Sequence, residues 1–167
     1  FQVYEDNDYK DIPSFVTTDA VLQLYHIFFS FTLRTVEEQK MSDLVKKLSQ
    51  GMLEDSVKTW NEETEPQLKS AALKNVAYFG VAASLIGLNP TLPPEAKAIL
   101  DKELALISRH QGFAFGHIFP YQLDYSQFVP RGHYSRTESL QSYFRTMMWF
   151  GLAPFAIQTN ETRADET

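Results

Sequence analysis

The run Ala20–Val36 limits the possible folds more than any other part of the chain. Val21, Leu22, Leu24, Tyr25, Ile27, Phe28, Phe29, Phe31 and Leu33 put apolar side chains on nearly every side of a helix. A helix that is apolar all round has to be covered by other protein or by lipid. Gln23, His26, Ser30, Thr32 and Arg34 interrupt the run, whereas a membrane span needs about 18 or more apolar residues with few or no charges. The segment therefore reads as a buried, central helix of a soluble protein. Its polar interruptions must find partners inside the protein or face a cleft, and His26 reads as a hydrogen-bonded core histidine. Thr17 or Thr18 serves as the N-cap, and Asp19 suits the positive end of the helix.

The rest of the chain supplies partners of the same kind. From about Ser42 to Asn61, Leu44, Val45, Leu48, Met52, Val57 and Trp60 recur at helical spacing, with Lys46, Lys47, Glu54 and Lys58 on the other face. Pro66 opens a third helix, which runs to about Leu88. Its small residues Ala71, Ala72, Ala77, Gly80, Ala82 and Ala83 allow another helix to approach closely, and Asn89-Pro90 ends it. Pro93-Pro94 begins a fourth, with Ala96, Ile99, Leu100, Glu103 and Ile107 along one side and Gly112 as its stop. Ser135-Arg136-Thr137-Glu138 has the pattern of a capping box. It opens a fifth helix carrying Leu140, Tyr143, Phe144, Met147 and Met148 inward and closing at Gly151 and Pro154.

Two stretches fall outside this plan. Residues 1–13 hold Glu5, Asp6, Asp8 and Asp11 and read as a solvated acidic turn, since Asp6-Asn7-Asp8 lacks the later Gly and Glu of a calcium loop. Residues 113–134 are rich in Phe and Tyr, with Pro120, Pro130, Gly116 and Gly132 and no helical period. Long loops of this kind inside compact domains are often functional. No run alternates as a sheet strand would.

The expectation is an all-α fold: about five helices in an irregular bundle or part of a larger helical array, such as an α/α toroid, with one long aromatic-rich loop. The 167 residues make one domain or part of one. Phe1 opens the chain without Met, and the polar run Thr159–Thr167 follows an apolar helix, which reads as a piece of a larger polypeptide. An aromatic fraction of 14% exceeds what such a core needs, so an unusual apolar surface is expected, with the rest of the same polypeptide as the partner.

A net charge of −6 disfavours nucleic acid, which requires a basic surface. The absence of cysteine excludes disulfides, thiol catalysis and Cys-ligated zinc. His26, His110, His117 and His133 show no metal-binding spacing, so no metal or other cofactor is expected. Motifs for nucleotide hydrolysis, hydride transfer or a nucleophile elbow are absent.

Three residues form the candidate anion site: Arg131, His133 and Arg136, beside a helix N-terminus whose free N–H groups suit a small anionic ligand. The competing arrangement pairs the arginines with Asp124 or Asp19 to pin the loop. Asp19 and Asp124 are the weak catalytic candidates, because glycoside hydrolysis requires two carboxylates facing one cleft; the bland alternative is helix capping for Asp19 and an Arg partner for Asp124. Asn160-Glu161-Thr162 is a formal glycosylation sequon.

Three motifs carry a resemblance: Phe15-Val16-Thr17-Thr18-Asp19-Ala20-Val21-Leu22-Gln23-Leu24-Tyr25-His26, then Leu123-Asp124-Tyr125-Ser126-Gln127-Phe128-Val129-Pro130-Arg131-Gly132-His133-Tyr134, then Met147-Met148-Trp149-Phe150-Gly151. In this order they resemble the bacterial and archaeal domain of unknown function 3160. The chain departs from that pattern at Gln23, where a histidine is common, which weakens any metal proposal on this helix. The resemblance implies an exported protein or lipoprotein of several hundred residues, extracellular or at the cell surface, without an assigned catalytic residue. The function expected is a structural or ligand-binding domain of an exported prokaryotic protein. The alternative is an extracellular hydrolase acting on carbohydrate or another polymer through paired carboxylates.

Overall fold

A computed structural model describes residues 1–155, in two compact units, Phe1–Val36 and a second that begins at Glu37. The sequon at Asn160 and the polar run from Thr159 lie outside the described residues.

In the first unit, the acidic segment expected as a turn is a helix, α1 (Gln2–Tyr9). It stops where Asp11 takes a left-handed φ of 52° and Ile12 N–H reaches back to Asn7 O at 2.8 Å. α2 (Thr18–Val36) follows, its start held by Thr17 Oγ1 accepting from Ala20 N–H at 3.2 Å. Neither helix contains a buried residue, so the expected buried helix lacks cover within its own unit. His26 is exposed, not a core histidine.

The second unit opens on a π-helical turn, Glu37–Met41, followed by α3 (Ser42–Glu62), α4 (Pro66–Leu85) and α5 (Pro94–Arg109). α4 is the central element and packs on α3, α5 and α6 (Glu138–Leu152). Val76, Ala77, Val81, Ala82 and Ala83 on α4 are fully buried; the small side chains let three neighbours close on one helix. Its N-terminus is capped by Glu65, whose carboxylate accepts from Gln67 N–H and Leu68 N–H at 3.1 and 2.8 Å, in keeping with the helix dipole. Its C-terminus ends on Gly87 at φ 89°, with Leu88 N–H bonded to Ala83 O and Gly87 N–H to Ser84 O. Glycine takes that left-handed position without a Cβ clash.

α5 ends two residues before the expected Gly112 stop, on His110, itself left-handed at φ 52°. Contrary to the expectation of no strands, the aromatic-rich segment holds a small antiparallel hairpin, β1 (Phe113–Phe115) paired with β2 (Gln122–Asp124). Ala114 and Leu123 point inward while Phe113 and Phe115 stay exposed. Two 3-10 turns, Tyr125–Phe128 and Gly132–Ser135, lead into α6. The cap of α6 is Thr137, which accepts from Leu140 N–H at 3.3 Å. Ser135, expected as the cap, instead donates to Gly132 O. Tyr125, Phe128 and Trp149 are buried completely and join α4 in the main core, and Leu140 on α6 is fully buried as well.

Candidate functional site

The loop between β2 and α6 is organised by carboxylates that the chain itself supplies. Asp124 caps the first 3-10 turn. Its Oδ1 accepts from Ser126 N–H at 3.1 Å and Ser126 Oγ–H at 2.6 Å, and its Oδ2 accepts from Gln127 Nε2–H at 2.9 Å. Those side-chain hydrogen bonds, from Ser126 and then Gln127, hold its carboxyl below the usual range. Arg131 does not reach Asp124 directly. It donates to Gln127 Oε1 at 3.3 and 3.4 Å, and its guanidinium lies 5.7 Å from the centre of the Phe144 ring. Gln127 thus relays between the arginine and the carboxylate.

Six residues further along, His133 Nε2 lies 2.7 Å from Glu37 Oε2, and Tyr134 O–H donates to Glu37 Oε1 at 2.7 Å. One carboxylate on the π-helical turn therefore serves two consecutive side chains of the loop, 96 and 97 residues away in sequence. Its neighbour Glu38 accepts from Thr137 Oγ–H at 3.1 Å, so the turn is tied to the start of α6 as well. π-helical turns sit frequently at functional sites. Arg136 is exposed and makes no side-chain hydrogen bond or ion pair among the described residues. The three expected anion ligands thus turn to three different surroundings: Arg131 to Gln127 and Phe144, His133 to Glu37, and Arg136 to solvent. Asp19 is exposed in the first turn of α2, in the other unit.

A second polar cluster was hidden in the sequence. Glu103 on α5 is fully buried. It accepts from His117 N–H at 2.8 Å and from the Tyr125 hydroxyl. Gly116 lies directly over this pair; a Cβ there would stand 2.7 Å from the Tyr125 hydroxyl and 2.9 Å from Glu103 Oε1. The clue was a charged residue on the apolar side of α5. Its partners, 14 and 22 residues away, were not legible from spacing. Among the described residues, no group of three or more His, Cys, Asp and Glu side chains is arranged to hold a metal ion, and no helix is long and apolar enough to cross a membrane.

Burial leaves a signature in the tyrosines. Desolvation is the main cause that raises Tyr78 to about 12, with Tyr121 beside it. It likewise raises Tyr121, Tyr125, Tyr134 and Tyr143, with Glu103 adding to the effect at Tyr125 and Glu37 at Tyr134 and Tyr143. In an absorbance titration near 295 nm, these five of the eight tyrosines should ionise above the ordinary value of about 10. Because the folded values lie above the unfolded ones, their contribution to stability is complete below pH about 10 and is lost as pH rises beyond it. Midpoints of chemical unfolding should fall over that range. Eight tyrosines ionising together near pH 10 in the folded protein would contradict the burial described.

No curated protein and no solved structure matches the chain. One family model matches residues 1–167, the full length given, and the three motifs quoted above lie on α2, on the loop that carries Asp124 and His133, and on α6. The chain belongs to the family described as protein of unknown function (DUF3160).

Proposed function

We propose that this chain is a non-catalytic structural and binding domain of a longer exported prokaryotic polypeptide, and that α2 packs into the rest of that polypeptide. The observation that carries the reading is the apolar surface of α2. Ten large apolar residues from Val21 to Val36 are exposed, from 38% at Leu33 to 65% at Tyr25 and Phe28. Each such side chain gains about 1.5–3 kcal/mol when fully buried, and contiguous apolar surface of this kind marks a missing partner. The same polypeptide is the occupant that fits best, because Asp19, His26 and Arg34 lie on the same helix and suit a protein interior with a polar cleft better than lipid.

An exported location rests on the resemblance in family motifs. The anionic ligand expected at Arg131, His133 and Arg136 would have to displace Glu37 from His133. Asp124, with both oxygens already accepting hydrogen bonds, lends the rival hydrolase reading little support. The test is Phe28→Asp in the full-length polypeptide. It should destabilise by more than about 3 kcal/mol, the scale for a charge placed without a partner in a core. In the isolated 167-residue chain it should change stability by less than about 0.5 kcal/mol, as for a surface substitution, and reduce self-association. A full-length protein indifferent to Phe28→Asp would overturn the reading.

A further inference from the structure

In the second unit, a cavity of about 420 Å³ lies between α3 and the connection from α4 to α5. Small-molecule sites usually measure about 300–1,000 Å³. Gln50, Leu53, Glu54 and Val57 line it from one face of α3, at helical spacing. The connection supplies Leu88, Asn89, Pro90 and Thr91, and α4 supplies Ala83. The floor is apolar: Leu53 and Ala83 are buried, and Val57 and Leu88 are partly so. The wall from the connection is built in advance. Gly87 at φ 89° turns the chain out of α4, Leu88 N–H is bonded to Ala83 O at 2.9 Å, and the Pro90 ring fixes its own φ.

The rim is polar and exposed, and it keeps bonding capacity. Gln50 Nε2–H donates to Glu54 Oε1 at 2.9 Å, which sets the two side chains side by side. Gln50 Oε1 and Glu54 Oε2 accept no hydrogen bond among the described residues, and Asn89 and Thr91 make no side-chain hydrogen bond there either. Glu54 carries the one charge on the lining. Lys58, one turn further along α3, makes no ion pair with it.

We infer that this cavity binds a small organic cation, a primary ammonium group on an apolar body. The chemistry of the lining sets the ligand class. The apolar floor takes the body out of water. At the rim, a free carboxylate oxygen and a free amide oxygen both accept, and an ammonium group has three donors and no acceptor. An anionic head would meet the Glu54 charge, and a neutral hydroxyl would lose the charge-assisted hydrogen bond. The site lies within the second unit and does not depend on the packing of α2.

Calorimetric titration of the full-length polypeptide with three probes of one carbon skeleton tests this: 3-phenylpropylamine, 3-phenylpropan-1-ol and 3-phenylpropanoate. The amine should bind about tenfold more tightly than the alcohol, the scale of gaining a charge-assisted hydrogen bond, and the carboxylate most weakly. Glu54→Gln keeps the shape of the rim and should bring the amine down to the affinity of the alcohol. Glu54→Lys should invert the order and favour the carboxylate. Gln50→Trp covers the opening and should abolish binding of the amine. Both positions are exposed, so these variants should fold, and circular dichroism checks each. No binding of the amine would overturn the site. Amine binding that is unchanged in Glu54→Gln and in Gln50→Trp would place it elsewhere and overturn the site equally. Equal affinity for all three probes, lost in Gln50→Trp, would overturn the ligand class.

Discussion

Replacing Tyr125 with Phe should destabilise the chain by about 3 kcal/mol in denaturant unfolding, far more than removal of one exposed hydroxyl. Tyr125 and Glu103 are both fully buried, and the hydroxyl is one of two donors to the carboxylate, the other being His117 N–H. Hydrogen bonds to a charged group contribute about 1.5–3 kcal/mol, and a buried charge that loses a partner carries a further desolvation cost. Glu103→Leu should also destabilise, because it strands the Tyr125 hydroxyl and His117 N–H. The double variant Glu103→Leu with Tyr125→Phe should be less destabilised than the sum of the two, with a coupling of about 1–3 kcal/mol. Simple additivity would mean that the two side chains do not depend on each other. Gly116→Ala belongs to the same cluster and should be poorly tolerated, since its Cβ would stand on both partners.

Trp149→Ala should cost about 4 kcal/mol, the usual scale for truncating a buried aromatic. The indole is fully buried, its Nε1–H donates to Tyr78 O at 3.1 Å, and its ring lies 5.2 Å from that of Tyr78. It thereby fastens α6 to the central helix α4. Trp149→Phe keeps most of the volume and loses the hydrogen bond, so about 1–2 kcal/mol is expected. The chain has two tryptophans, and the partly exposed Trp60 gives a fluorescence baseline. A loss below about 1 kcal/mol for Trp149→Ala would place the indole outside the core.

Local chemistry made most of the helix plan legible. Pro66 and Pro94 sit at first helical turns, and the apolar spacing of α5 follows its buried face. On α3 it does not: Leu44, Leu48 and Met52 are exposed while Val45, Ser49, Leu53 and Ser56 are buried, and on α6 Met147, expected inward, is exposed. The errors have physical causes. α1 buries no residue, so it leaves no apolar stripe to read. The strands of the hairpin are three residues each, too short to show alternation. At the start of α6, Ser135 and Thr137 are both plausible caps; a preceding 3-10 turn consumes the serine hydroxyl and passes the role to the threonine. For α2 the pattern demanded cover, and the structure buries none of its residues; cover by the rest of a longer polypeptide is the proposal made above.

The candidate site was legible as a loop but not as a set of contacts. Asp124, Arg131 and His133 were singled out by composition, and Asp124 proved to be a cap served by Ser126 and Gln127. Glu37 was not singled out in the sequence. Its role depends on a contact to His133 across 96 residues, which no local rule can supply.

The central claim, that α2 is covered by the rest of a longer polypeptide, is tested most directly by amide hydrogen exchange over Thr18–Val36. In the full-length protein the amides of Leu24 to Leu33 should exchange at least about a thousandfold more slowly than in the isolated 167-residue chain, a difference in opening free energy of about 4 kcal/mol. The amides of α4, buried within the second unit in either case, should change little and serve as the internal reference. Exchange over α2 that is as fast in the full-length protein as in the isolated chain would contradict the account.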